Sequence, residues 1–223
     1  MSTILVTGAN RGIGLALAKQ YAKRGDDVIG VCREGSDELV EIGARVEAGV
    51  DVTDGAALAA LAHRLDDTRI DVLVCNAGIL SKESLGDIDD DGFERMRKQF
   101  EVNALGPLRT VQALTAHLAN GAKVGIITSR MGSVSDNDSG GYYGYRASKA
   151  AVNAIGKSLA LDLKDRGIAV MLLHPGYVQT EMVGGGGDIS PDAAAAQLVE
   201  RLDELNLVQT GSFRHAKGDA LRW

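Results

Sequence analysis

The chain has 223 residues, 45% of them hydrophobic and only three of them proline, enough length and apolar content for one globular domain with a large core. The net charge is −6 and no Lys/Arg cluster rises above the acidic background, which argues against nucleic acid as a partner. No charged leader precedes the first apolar run and no stretch reaches the roughly eighteen apolar residues of a membrane helix, so a soluble cytoplasmic protein is expected; Cys32 and Cys75 lie apart and the four histidines lack metal-ligand spacing, so neither disulfide nor metal is assigned.

Thr3 to Thr7 is a β-branched run that enters the turn Thr7-Gly8-Ala9-Asn10-Arg11-Gly12-Ile13-Gly14, and an apolar-periodic segment follows to Arg24. This reads as strand, glycine-rich turn and helix. Backbone must approach a pyrophosphate closely there while helix N–H groups point at it, which forbids a Cβ at Gly8, Gly12 and Gly14. Val28 to Cys32 is the second strand. It ends at Arg33, near the place where a dinucleotide-binding unit reads the adenosine ribose. The guanidinium of Arg33, with that of Arg11, suits a 2′-phosphate and favours NADP(H); Glu34, twenty residues beyond Gly14, is the competing ribose contact and would select NAD(H). Asp51-Val52 follows a third apolar stretch, where Asp51 either meets the adenine edge or supports the helix start around Asp54. A fourth strand, Asp71 to Cys75, ends in Asn76-Ala77-Gly78, where backbone would pass a cofactor.

From Asp89 to Asn120 the pattern predicts helix, interrupted near Pro107, with Leu105, Leu108, Val111, Leu114 and Leu118 in one stripe and the polar Asn103 at its head. A fifth strand, Lys123 to Thr128, runs into Ser129-Arg130-Met131-Gly132-Ser133. The next helix begins around Tyr145 and continues to about Arg166, its small residues permitting close packing. Tyr145 and Lys149 are four apart and share a face of it. A free phenol titrates near ~10, and an ammonium on the same face stabilises its phenolate. A sixth strand, Ile168 to Leu173, ends in His174-Pro175-Gly176. After Val178 and Thr180 come Gly184 to Gly187, four glycines with no side chain to hold them, expected to be mobile. The last helix starts at Pro191 with Ser190 as its cap, and Ser212 to His215 closes the chain as a strand.

Strands alternate with helices and no repeat or composition break divides the chain, so the expected fold is a single α/β domain: a Rossmann-type, doubly wound parallel sheet of about seven strands with helices on both faces. Ligands in such sheets sit beyond the carboxyl ends of the strands, where the Gly8 turn, Asn76, Ser129 and Tyr145 converge.

The set Thr7-Gly-x-x-x-Gly-x-Gly14, Asn76-Ala-Gly78, Asn103, Ser129, Tyr145-x-x-x-Lys149 and Pro175-Gly176, in that order across essentially the whole chain, resembles the short-chain dehydrogenase/reductases. The Met131-Gly132-Ser133 segment, the approach Gly140-Gly-Tyr-Tyr-Gly-Tyr-Arg146, His174-Pro-Gly-Tyr-Val-Gln-Thr180 and the Trp223 ending resemble the C-factor and sniffer-like carbonyl reductase branch. The resemblance implies NADP(H)-linked interconversion of a small carbonyl and its alcohol. Tyr145 would be the acid in reduction, Lys149 would lower its pKa and hold the nicotinamide ribose, Ser129 would donate to the substrate oxygen, and Asn103 would hold a water linking Lys149 to solvent. It also implies cofactor contacts from Gly8, Asn10, Arg11, Gly12, Ile13, Gly14, Arg33, Asp51, Val52, Asn76, Ala77, Gly78, Tyr145, Lys149, Pro175, Gly176, Val178 and Thr180, and a homodimer formed through the helices around Leu105 and Tyr145. Spacing alone leaves Ser133 beside Ser129 as the serine, with the strand end favouring Ser129. The segment from Gln179 to Ile189 is short for a substrate cover. The C-factor resemblance also suggests an alternative function: an NADP(H)-binding signalling or sensor protein with little turnover.

Overall fold

The computed structural model describes residues 1–223. Seven strands, β1 (Thr3–Thr7), β2 (Asp27–Val31), β3 (Arg45–Glu47), β4 (Ile70–Cys75), β5 (Leu118–Ile127), β6 (Ala169–His174) and β7 (Ser212–His215), form one all-parallel sheet in the order β3-β2-β1-β4-β5-β6-β7. The strands are runs such as Ile4-Leu5-Val6 and Val170-Met171-Leu172-Leu173, buried throughout because helices cover both faces. One face carries α1 (Gly12–Lys23), α2 (Asp37–Glu41) and α7 (Pro191–Glu204), and its core joins Leu17, Tyr21, Leu39, Leu198 and Leu202 to Ile4, Val28 and Leu173. The other face carries α3 (Gly55–Leu65), α5 (Gly106–Leu114) and α6 (Tyr143–Asp162), with Leu58, Leu61, Leu114, Val152 and Leu159 against Leu5, Leu73 and Ile126. The doubly wound fold expected from the sequence is therefore observed. Its order reverses between β1 and β4, which opens a crevice at their carboxyl ends. No helix is long and apolar enough to cross a membrane.

One long element differs from expectation. The helix predicted over residues 89–120 is two helices, α4 (Asp90–Phe100) and α5, joined by a π-helical turn at Glu101–Leu105, and it ends at Leu114. Leu118, counted in the helical stripe, is instead the first residue of β5 and pairs with Ile70. The four-residue spacing of two buried leucines suits a helix, but the Arg166 guanidinium donates to the carbonyls of Thr115 (2.7 Å) and Leu118 (2.5 Å), which gives the departing chain the partners a helix would have supplied. The β4–β5 register then shifts between Ile70 and Val72, so the Ala119–Ala122 segment is accommodated before regular pairing resumes at Lys123.

The four glycines from Gly184 to Gly187, which have no side chain to hold them, make hydrogen bonds through their backbones. Gly184 N–H donates to Glu181 O, Gly185 N–H to Thr180 O and Gly186 N–H to Val183 O, and an isolated bridge joins Val178 to Ile189. The positive φ of Gly184 and Gly185 allows this winding.

Close approach at the crevice sets a sharp test. A Cβ on Gly14 would lie 2.1 Å from Gly8 O and 2.6 Å from Asn76 Nδ2, whereas a Cβ on Gly55, at the start of α3, would meet nothing within 4 Å. Gly14→Ala should destabilise the protein by about 1–3 kcal/mol or more, while Gly55→Ala should be neutral or stabilise by up to about 1 kcal/mol. Urea unfolding of the two variants reads both changes.

Candidate active site

The crevice is built by loops that leave the strand ends and are tied to one another. Thr7 Oγ1 accepts from the N–H groups of Asn76 (3.0 Å) and Ala77 (3.2 Å), and Asn76 Nδ2 donates to Thr7 O (3.0 Å) and Gly8 O (3.2 Å). The asparagine thus fastens the end of β4 to the turn after β1. A Cβ on Gly8, whose φ is +66°, would lie 2.9 Å from Ala77 Cα, so only glycine fits between these two backbones. Helix α1 begins with no side-chain cap on its first turn and no acidic residue in it, although α3, α4 and α7 are capped by Asp54, Asp89 and Ser190. Its positive end is left for an anion. Thr180 stands beside this turn, its Cγ2 3.5 Å from where a Gly12 Cβ would be. Asn10 and Ile13 are half-buried around it, Pro175 and Val178 are buried, and Gly176 turns the chain at φ +92°.

At the ribose end, Arg33 and Glu34 are both exposed. Arg33 makes no side-chain hydrogen bond or ion pair, and with Lys98 it acts on Asp51. Burial pushes the Asp51 carboxyl up, but the Thr53 N–H (2.8 Å) and hydroxyl (2.7 Å), with these two cations beyond, hold it below the usual carboxylate range. Asp54 caps α3 through Ala56 and Ala57 N–H, and Val52 is buried beneath Gly106. Arg11 pairs with Glu181 at 2.8 Å across the surface, a partner that sequence reasoning did not suggest. Both side chains are exposed, so this pair contributes little to stability. The uncapped α1 terminus, the glycine cradle and the free Arg33 guanidinium fit a dinucleotide carrying an extra phosphate, and NADP(H) matches that donor set.

The catalytic candidates meet at the ends of β4 and β5 and the start of α6. Tyr145 is buried on the first turn of α6; burial raises its pKa, and hydrogen bonding with the Ser129 hydroxyl works against that rise. Lys149, one turn on, is 5% exposed and is the one buried cation in the molecule. Its Nζ donates to Ile127 O at 3.0 Å and sits 5.7 Å from the Tyr145 ring centre. Burial without a carboxylate partner pulls its pKa down from 10.5 to about 8. His174, at the end of β6, is driven down to about 4 by burial, then by His215, Arg130 and Lys149, so it adds no second cation. The two serines have different surroundings. Ser129 acts on Tyr145, whereas Ser133 Oγ donates to the Trp223 carbonyl (3.1 Å) and accepts from Asp136 N–H (3.2 Å).

Asn103 lies inside the π-helical turn and is 1% exposed. Its Oδ1 accepts from Ile79 N–H (2.8 Å), and its Nδ2 donates to Ile79 O (2.8 Å) and Ser148 Oγ (3.1 Å), so the side chain clamps the segment after Gly78 to α6. Such turns recur at functional sites. Gly78 brings Asn103 and Lys149 together, since a Cβ there would lie 3.2 Å from Asn103 Oδ1 and 3.7 Å from Lys149 Nζ. Sequence reasoning missed Ser148, Glu83 and Gln99. Only Gln99 carries a trace in the sequence, as an uncharged polar residue within the charged run of α4.

The short chain dehydrogenase family model matches residues 2–188. The chain belongs to the short-chain dehydrogenase family. It is 43% identical over 229 residues, covering all of both chains, to the 1-hydroxy-2-glutathionyl-2-methyl-3-butene dehydrogenase of Rhodococcus sp. strain AD45. It is 40% identical over 157 residues to the C-signal protein of Myxococcus xanthus, covering 69% of this chain and 93% of that one. The NADPH-bound carbonyl reductase from chicken fatty liver superposes with a TM-score of 0.91 at 28% identity, covering 100% of this chain and 99% of the other. Membership of this oxidoreductase family agrees with the order of motifs along the chain and with their meeting point in the crevice.

The buried ammonium makes a prediction about stability. Below pH 8 the folded protein carries a charged, desolvated Lys149; between pH 8 and 10.5 it releases this proton while the unfolded chain still holds it, so the Lys149 contribution to stability rises with pH. The full window corresponds to up to about 3 kcal/mol at 1.36 kcal/mol per unit. Lys149→Met, which lacks the charge, should therefore be more stable than the parent at pH 7, with the difference closing toward pH 10. Comparing the two proteins cancels the opposing rise of the Tyr21 and Cys75 pKa values. A difference in unfolding free energy that stays flat from pH 7 to 10 would contradict the assignment.

Proposed function

We propose that this short-chain dehydrogenase is an NADP(H)-dependent oxidoreductase that interconverts a small carbonyl compound and its alcohol, with Tyr145 as acid and base. The observation that carries the reading is the buried group of Ser129, Tyr145 and Lys149 beside the glycine cradle. NADP(H), when bound, supplies or accepts the hydride at the carbonyl carbon. In reduction, the Ser129 hydroxyl donates a hydrogen bond to the substrate oxygen as negative charge develops there. The Tyr145 phenol, kept protonated by its burial, transfers its proton to that oxygen and becomes a phenolate. The Lys149 ammonium lies close enough to stabilise this phenolate, and a water held near Asn103 returns a proton from solvent. In oxidation the same groups act in reverse.

On the cofactor, Arg33 and Arg11 would hold the 2′-phosphate, the first turn of α1 the pyrophosphate and Thr180 the nicotinamide side. Arg11 must then exchange Glu181 for the phosphate, a small cost for so exposed a pair. Tyr143, Tyr177 and Met182, all exposed, would give the mouth an apolar rim suited to an undemanding range of carbonyl substrates. The similarity to the Myxococcus C-signal protein supports a second reading, in which the chain binds NADP(H) but turns over slowly or not at all.

One experiment separates the readings. NADPH and NADH oxidation is followed over a panel of aldehydes, ketones and quinones, with Tyr145→Phe as the paired control. Turnover with NADPH that vanishes in Tyr145→Phe, while NADPH still raises the melting temperature, is the expected result. Arg33→Ala should weaken NADPH binding by about 10- to 100-fold and leave NADH nearly unaffected, the scale of one charge-assisted hydrogen bond. Preference for NADH would move the ribose contact to Glu34. Tight NADPH binding without turnover would favour the second reading.

A further inference from the structure

The first turn of α6, which carries Tyr145, is not capped from within. Its N-cap residue, Tyr142, stands in the left-handed region at φ 53° and makes no side-chain cap bond. The partner comes instead from Glu83, in the loop between β4 and α4. Glu83 Oε2 accepts from Gly144 N–H at 3.1 Å, and its backbone carbonyl accepts from Tyr142 N–H at 2.9 Å. Glu83 Oε1 accepts from Ser81 Oγ (2.6 Å) and Gln99 Nε2 (2.8 Å), while Gln99 Oε1 accepts from Ser81 N–H (2.9 Å). Glu83 is 5% exposed and Gln99 1%, and no cation pairs with the carboxylate. The two helices also touch here, since a Cβ on Gly144 would lie 2.5 Å from Gln99 Nε2 and 2.9 Å from Met96 Cα.

We propose that Glu83 is a positioning residue for Tyr145, its carboxylate fixing the first turn of α6 against α4 and so setting where the phenol stands; as a statement about catalysis, this rests on the function proposed above. The chemistry requires a carboxylate. All three side-chain partners are donors, namely a hydroxyl, an amide NH2 and a backbone N–H, so an acceptor with two oxygens satisfies them where an amide sets one donor against another. The charge is also favourably placed at the positive end of α6. Tyr145 follows Gly144 directly, so any shift of the first turn is passed to the phenol, whereas the glycine cradle is fastened separately through Thr7 and Asn76.

The test is Glu83→Gln, with the swapped pair Glu83→Gln/Gln99→Glu as its rescue. In the swap the amide at 83 accepts from Gly144 N–H and donates to the new carboxylate at 99 and to the Ser81 hydroxyl, which turns to accept, while Ser81 N–H keeps its acceptor, so the clash of two amide NH2 groups is removed. Two readouts are taken: steady-state kinetics with NADPH, and the carbon-13 Cζ resonance of labelled Tyr145, assigned by its loss in Tyr145→Phe. Glu83→Gln should lower kcat by about 10- to 100-fold, the scale of an ångström-sized misplacement. NADPH affinity should be unchanged, the Tyr145 resonance should move, and the swap should restore both. Should Glu83→Gln not fold, Glu83→Asp, which keeps the charge but withdraws it by one methylene, is read in the same two ways. An unmoved Tyr145 resonance overturns the proposal, as does an equal loss of kcat and NADPH affinity. Absence of turnover in the parent protein would count against the proposed function alone, because the resonance still reports whether Glu83 sets the place of Tyr145.

Discussion

An ammonium group buried without a carboxylate is the constraint around which the centre of this molecule is arranged. The Lys149 ammonium has one hydrogen bond in the structure, to the carbonyl of Ile127, and burial holds its pKa well below the usual lysine value. Such a group destabilises the fold, and the two apolar cores on either side of the sheet offset that cost. What the placement provides is a positive charge that no internal anion neutralises, one turn from a buried phenol. A phenolate formed there has the lysine to itself. The neutral state of His174 belongs to the same arrangement, because a second cation beside Lys149 would press its pKa lower still.

The parts of this arrangement that were legible in the sequence are those fixed by backbone sterics or by short periodicities. Gly8 and Gly14 are required because β1, α1 and the loop after β4 pass within a side chain's breadth of one another, and such positions announce themselves as glycine. Tyr145 and Lys149 share a face because four residues are nearly one helical turn. The buried strand runs and their alternation with helices set the fold class, and the strand end favoured Ser129 over Ser133, whose hydroxyl is bonded to the carbonyl of Trp223.

The parts that were not legible depend on partners distant in sequence. The end of α5 rests on Arg166, which lies more than forty residues beyond it. A π-helical turn has no sequence signature, and the residue pattern alone offered Asn103 as a polar residue at the head of a leucine stripe, its catalytic role coming only from the family resemblance; its bonds to Ile79 and Ser148 appear only in the fold. Glu83 sits in an unremarked loop of a strongly acidic stretch, and nothing local separates it from the exposed acids around it. The backbone hydrogen bonds of the 184–187 segment were likewise not legible, because the absence of side chains says nothing about backbone partners.

These long-range bonds share a form that explains how loops can carry a precise site. Asn76 on Thr7 and Gly8, Asn103 on Ile79, Glu83 on Gly144 and Ser133 on Trp223 each fasten the side chain of one loop or turn to the backbone of another at the carboxyl edge of the sheet. A backbone partner does not change rotamer, so each bond fixes position more firmly than two side chains would. The polar groups at that edge therefore fall into two sets. One set is spent internally on this cross-linking. The other has no partner within the chain and includes the Arg33 guanidinium, the Thr180 hydroxyl and the uncapped first turn of α1. An anionic ligand reaching from Arg33 across α1 to Thr180 would engage that second set without disturbing the first, so binding and the geometry around Tyr145 are held by separate bonds.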